Sequence, residues 1–180
     1  MFYGERIRLR GVEKDDIPRF VEWMNDPEVI EGLIIFWPMS SADEQRWFER
    51  LADREMVEKP LSIDMREGSG WKHIGSCGFH GIEWSNRLAE IGISIGEKSV
   101  WNQGLGTEGV KLMLQVGFET LNLNRIFLRV HANNKRAIRS YEKCGFTHEG
   151  ALRQAVYQHG KYQDLLFMSV LRSEWESSRK

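Results

Sequence analysis

One stretch, residues 91–118 (IGISIGEKSVWNQGLGTEGVKLMLQVGF), leaves this chain few ways to fold. It opens with β-branched residues at every second position, Ile91, Ile93 and Ile95, the alternation of a half-buried strand. It passes through Gly96 and reaches Gly104-Leu105-Gly106-Thr107. Val110, Met113, Leu114, Gly117, Phe118 and Leu121 then recur at helical spacing, so a glycine turn delivers a strand straight into an amphipathic helix. The first amides of such a helix have no intrahelical acceptor, and the helix dipole is positive there. Strand, turn and helix start together therefore make an anion site. Gly104 and Gly106 let the backbone approach a phosphate without a Cβ in the way, which suits a pyrophosphate. The same glycines also serve as a plain strand-to-helix connection, and the turn alone leaves both readings open.

Two other phosphate motifs fit poorly. The chain has no G-x-x-x-x-G-K-[ST] run. Gly104-x-Gly106-x-x-Gly109 approximates the dinucleotide fingerprint, but no βαβ beginning precedes it and no acid closes the strand at 125–131.

A chain of 180 residues reads as one domain spanning 1–180. A net charge of -1 gives no electrostatic footprint for nucleic acid or anionic membrane. Cys77 and Cys144 lack metal or redox spacing and read as reduced packing residues of a cytoplasmic protein. No cluster has metal-ligand spacing, so no metal is expected. The amino terminus lacks the apolar core of a secretion signal, and the apolar run at 33–37 is far too short to span a bilayer.

In chain order, residues 6–10 alternate as a strand, and Asp15 or Asp16 can cap a helix with Ile17, Phe20, Val21 and Met24 inward. Ser41 and Glu44 form a capping box for a second helix with Trp47, Phe48 and Leu51 inward. Between them lies an apolar loop, residues 31–39 (EGLIIFWPM), which either folds back on the core or walls a pocket. Strands follow at 61–65 and 73–82, then the opening stretch, then a strand at 125–131. Asn133-Asn134 caps a helix with Ala137, Ile138, Tyr141 and Cys144 inward, and Gly145 ends it. Residues 151–158 and 161–171 pair as a hairpin across His159-Gly160. Strands and helices in this order predict an α/β fold, a mixed sheet with helices on both faces.

Two runs now carry a family resemblance. Trp101-Asn102-Gln103-Gly104-Leu105-Gly106-Thr107-Glu108 resembles the acyl-CoA pyrophosphate motif of the GNAT N-acetyltransferases. Residues 134–146 (NKRAIRSYEKCGF) resemble that family's second signature, and residues 149–153 and 160–164 its closing hairpin in the branch of ribosomal-protein and spermidine acetyltransferases. Many members carry Arg or Gln where this chain has Trp101, although Trp is at home in the branch.

The resemblance implies a mostly antiparallel sheet of about seven strands, with splayed central strands and a slot between them. It implies acetyl-CoA as co-substrate, no metal, and acetyl transfer to a primary amine (a polyamine, peptide N-terminus, aminoglycoside or amino sugar) by direct attack in a ternary complex. A non-catalytic acyl-CoA-binding module is the alternative. The pyrophosphate would lie on the amides of Gln103, Gly104, Leu105, Gly106 and Thr107. The pantetheine arm would pair with backbone at Ile93, Ser94 and Ile95, and Asn134 would contact the cofactor. Tyr141 would be the proton donor to the departing thiolate and Glu90 the base, with Glu83 and His131 as alternatives. A lone His at a strand end also reads as a surface residue. Glu31, Trp37, Glu83 and Trp84 are expected to bind the acceptor. A homodimer is expected.

Overall fold

In chain order the structure, a computed structural model describing residues 1–33, 35 and 37–179, runs β1 (Phe2–Tyr3), β2 (Ile7–Gly11), α1 (Ile17–Met24), α2 (Pro27–Ile30), α3 (Ser41–Arg50), β3 (Leu61–Glu67), β4 (Gly70–Glu83), β5 (Leu88–Ile95), α4 (Leu105–Gln115), β6 (Arg125–His131), α5 (Lys135–Glu142), β7 (Thr147–Gln158), β8 (Lys161–Leu171) and α6 (Arg172–Ser177). The strands form one eight-stranded sheet in the order β1-β2-β3-β4-β5-β6-β8-β7. Every pair is antiparallel except β5–β6. The strand beyond the expected seven is β1, whose two residues are too few to show alternation.

The parallel pair positions everything else. It holds only over Leu88↔Arg125, Ala89↔Ile126 and Glu90↔Phe127. Beyond Glu90, β5 stays on β4 as far as Ile95↔Gly75, while β6 stays on β8 as far as His131↔Leu165. The two strands diverge there and leave a gap, as the resemblance implied. On one face of the sheet, Ile91, Ile126, Leu128 and Val130 pack with Val110, Met113 and Leu114 of α4 and Ile138 of α5 in the main core. Phe20, Trp23 and Val29 of the amino-terminal helices make a second, smaller core with Trp47.

Two local expectations shift by a residue or two. The capping box uses Ser40 and Asp43, with Ser40 Oγ accepting from the Asp43 amide at 3.1 Å. Glu44 is therefore turned inward, and burial raises its pKa. On α1 it is Trp23, rather than Val21 or Met24, that joins Ile17 and Phe20 in the interior. Its indole lies edge-on to His73, 4.9 Å between centroids, a contact that helical periodicity does not reveal.

A polar knot ties α1 to the sheet. Asp16 is 4% exposed; Arg10 Nη1 and Nη2 each donate to it at 2.7 Å, Ser62 Oγ at 2.8 Å and the Glu13 amide at 2.9 Å. Arg10 Nε and Arg8 Nε both donate to Asp64 at 2.9 Å. Burial on its own would raise the Asp16 pKa, but the hydrogen bonds from Arg10 and Glu13 outweigh it and bring the carboxyl down to about 2. A depressed carboxylate stabilises the fold above its unfolded pKa, here by about 2 kcal/mol, and loses that stabilisation as pH falls from about 4 to 2. Asp16→Ala also strands Arg10, and a broken buried pair costs about 3 kcal/mol. The expected result at pH 7 is a melting temperature roughly 6–12 °C lower. In thermal melts the difference from wild type should narrow toward pH 2.

Candidate active site

Gly104 is the N-cap of α4 with φ +81, a left-handed conformation that a residue with a Cβ adopts only under strain. The first helical closure is Glu108 N–H to Gly104 O at 3.0 Å, so the amides of Leu105, Gly106 and Thr107 lack helical acceptors. The three glycines have separate jobs. Gly104 supplies the turn. A Cβ at Gly106 would meet only Ile95 Cγ1 at 3.7 Å, so packing does not demand glycine there. At Gly109 a Cβ would lie 2.8 Å from Ile93 Cδ1, so this glycine lets the helix approach β5.

Arg6 braces the cradle from behind. Its Nη1 donates to the Gln103 carbonyl at 3.0 Å, its Nε to Glu108 Oε2 at 2.9 Å, and its backbone amide to Glu108 Oε1 at 2.7 Å. The guanidinium thus neutralises the one carboxylate in the first turn of α4 and polarises the 103–104 peptide, whose N–H points the other way. Ninety-seven positions separate Arg6 from Gln103, and in the sequence Arg6 reads only as a polar member of the alternating run at 6–10.

The gap has one built edge. Gly96 N–H donates back to Ile74 on β4, so strand alternation turns the amides of Ile91, Ile93 and Ile95 toward the gap. Ser94 faces β4 instead, opposite Ser76, which corrects its expected place beside Ile93 and Ile95. Trp101 Nε1 donates to the Ile95 carbonyl at 2.7 Å, and the Arg136 guanidinium lies 3.9 Å from the Trp101 ring centroid. Trp101 therefore locks the end of β5 to the glycine turn and seats a cation at the start of α5. Thr107 Oγ1 and Ser140 Oγ, 2.8 Å apart, tie α4 to α5.

Asn134 Oδ1 caps α5 by accepting from the Ala137 amide at 3.1 Å. Tyr141, on the inward face of α5, packs against Phe146, and burial pushes its phenol up to about 12. Cys144 Sγ donates to the Thr107 carbonyl at 3.5 Å, and burial pushes its thiol up to about 11, so it stays a protonated packing residue. Glu90 stands where the pairing ends, with both oxygens held by Arg129 at 2.8 and 3.0 Å. Among the described residues, no group of His, Cys, Asp and Glu is arranged to hold a metal ion. Among the described residues, no helix is long and apolar enough to cross a membrane.

The acetyltransferase (GNAT) domain family matches residues 6–147. The chain belongs to that family. This acetyltransferase is 32% identical over 175 residues to an uncharacterized N-acetyltransferase, p20, of Bacillus licheniformis (96% of this chain, 97% of that one). It is 29% identical over 172 residues to a spermidine N(1)-acetyltransferase of Vibrio cholerae, covering 96% of each chain. Its fold superposes with a TM-score of 0.84 and 25% identity on a crystal structure of spermidine N-acetyltransferase from Vibrio cholerae in complex with CoA and spermine, covering 96% of this chain and 99% of that one. The chain is an N-acetyltransferase that draws its acyl group from acetyl-CoA.

Of the residues expected to bind the acceptor, the acetyltransferase does not bring all four together. Glu83 and Trp84 lie at the β4–β5 turn, the closed end of the β5–β6 pair, with Glu83 accepting from Asn86 Nδ2 at 2.8 Å. Glu31 lies at the opposite, open end, where the turn after α2 meets the start of α5. Trp37 is 75% exposed, and of the 31–39 loop residues 34 and 36 fall outside the described ones. Glu28 of α2, a further carboxylate near that end, is paired with Lys98 Nζ at 2.7 Å, and Asp26 shares the same ammonium at 2.6 Å. The acidic attraction for a cationic acceptor is thus weaker than the sequence suggests.

Proposed function

We propose that this acetyltransferase acts on a primary amine that enters on the sheet face opposite α4, with a polyamine the first acceptor to test. The polyamine reading rests on the Vibrio cholerae relatives, named for spermidine and solved with spermine. The observation that carries the chemistry is the divergence of β5 and β6 beside the cradle. Amides of Gln103, Gly104, Leu105, Gly106 and Thr107 would bind the pyrophosphate, with Arg6 behind them, and the edge of β5 at Ile93 and Ile95 would hold the pantetheine arm, with Asn134 nearby.

Acetyl-CoA supplies an activated acyl carbon and a thiol leaving group. The amine nitrogen attacks that carbon, the C–S bond breaks, and the amine must lose a proton. The Ile95 amide would stabilise the oxyanion. Tyr141 stays protonated and donates a hydrogen bond to the departing sulfur. Complete proton transfer from a phenol near 12 to a thiolate whose thiol titrates near 8.5 is uphill. Its role is therefore to stabilise the charge developing on sulfur. Glu90 takes the amine's proton through water, releasing one of its two bonds to Arg129, and the released thiolate takes its proton from solvent. We also expect a cytoplasmic protein and a homodimer. The surface that would serve the dimer is the exposed edge strand β7, with Leu152 on that strand and the exposed, mutually tilted rings of Tyr157 and Tyr162.

Thiol release from acetyl-CoA tests the reading with spermidine, tobramycin, glucosamine and an alanine-terminated peptide. The expected result is amine-dependent release with at least one of them, spermidine foremost. Tight binding of acetyl-CoA with no release from any would leave a binding module instead.

A further inference from the structure

His131 breaks the pattern of its strand. The residues of β6 alternate, with Ile126, Leu128 and Val130 in the core and Phe127, Arg129 and His131 on the face opposite α4. Phe127 is half-buried and Arg129 exposed, yet His131 is 2% exposed. What covers it is the turn after α2. Gly32 comes so close to Asn134 that a Cβ on it would lie 2.6 Å from Asn134 Nδ2, and the Glu31 carbonyl approaches the His131 ring without an aligned hydrogen bond. Both ring nitrogens are buried, and among the described residues neither makes a well-aligned hydrogen bond. Burial holds the imidazole below its usual pKa, so near neutral pH it carries one donor, which the Glu31 carbonyl can take, and one acceptor with no partner among the described residues.

Proteins rarely leave buried polar atoms unpaired, because each costs the desolvation that a partner would have offset. A strand-end position that needed only packing would be served better by leucine or valine. The spare acceptor nitrogen belongs to a ring at the open end of the β5–β6 gap, on the side away from the cofactor cradle and beneath a turn from the amino-terminal helices.

We propose that His131 is an acceptor-binding residue: its imidazole accepts a hydrogen bond from an N–H of the bound amine beneath the turn at residues 31–33. The proposal rests on the acetyl-transfer reading above and identifies where the acceptor is gripped. The histidine positions the nitrogen and takes no part in breaking the thioester.

The test replaces His131 with Leu and with Gln and uses the amine that the wild-type protein acetylates fastest among the four above. A purely structural histidine predicts a lower melting temperature for His131→Leu. An unpaired one predicts a melting temperature that is unchanged or higher. For His131→Leu we expect the KM for the amine to rise at least tenfold, with the KM for acetyl-CoA within about twofold of wild type. His131→Gln, which keeps a hydrogen-bonding group, should recover part of the loss. An unchanged amine KM, or a shift confined to acetyl-CoA, overturns the proposal. Loss of stability in step with activity does so too. A wild-type protein that acetylates none of the four amines removes the acetyl-transfer reading itself and His131's role with it, an outcome distinct from the other three.

Discussion

Gly104→Val is expected to raise the dissociation constant for coenzyme A at least about 100-fold while the protein remains folded. The cause is backbone conformation rather than crowding, because a Cβ at this position would meet only Arg6 Nη2, at 3.5 Å. The residue sits at φ +81, where a β-branched side chain is strained by about 1–3 kcal/mol. A folded domain with about 5–15 kcal/mol of stability survives that. Relaxing the strain rotates the peptides on either side of position 104 and swings the amides of Leu105, Gly106 and Thr107 out of register. Hydrogen bonds to a charged group contribute about 1.5–3 kcal/mol each, so losing two of them already exceeds a factor of 100. Calorimetry with coenzyme A, alongside a thermal melt, checks both halves of the expectation. Gly106→Ala is the control. The fold has room for that methyl group, so any affinity it loses reports the ligand's need for bare backbone. Unchanged affinity in Gly104→Val would remove the cradle from the cofactor site.

What the chain discloses in one dimension and what it withholds divide along sequence separation. Asn134 capping α5, Gly145 in the left-handed region at φ +89, and the His159-Gly160 turn, both residues at positive φ, are each decided by neighbours a few positions away, and each is where the pattern puts it. The shift of the capping box from Ser41 and Glu44 to Ser40 and Asp43 is the local exception: two overlapping boxes compete, and the reciprocal Ser40–Asp43 hydrogen bonds form while Glu44 turns inward. The site's long-range partners leave no such trace. Arg6 behind Gln103, Arg129 on Glu90, and the α2 turn over His131 join strands and turns whose meeting depends on the sheet order. The grouping of Glu31 with Glu83 and Trp84 fails for the same reason. Acidic and aromatic composition says nothing about which end of a parallel strand pair a residue occupies.

Tyr141→Phe is expected to lower kcat about 100-fold and to leave the KM for acetyl-CoA within about threefold, as for loss of a preorganised donor or general acid. The substitution removes one oxygen from a side chain whose ring packs against Phe146, so the core keeps its shape and the melting temperature should move little. Burial holds the phenol near 12, so over the range in which the enzyme can be assayed it does not ionise, and the pH–rate profile of the wild type should show no limb belonging to it. The variant should therefore keep the wild-type profile at a lower plateau. A loss that grew or vanished with pH would assign the titrating proton, rather than a fixed hydrogen bond, to this residue. A rate equal to wild type would remove Tyr141 from the mechanism. An acyl donor with a more acidic leaving thiol offers the sharpest discrimination, because a better leaving group needs less stabilisation. With an acetyl thioester of a low-pKa thiol in place of acetyl-CoA, the gap between Tyr141 and Phe should shrink if the hydroxyl serves the departing sulfur, and persist if it serves the attacking amine.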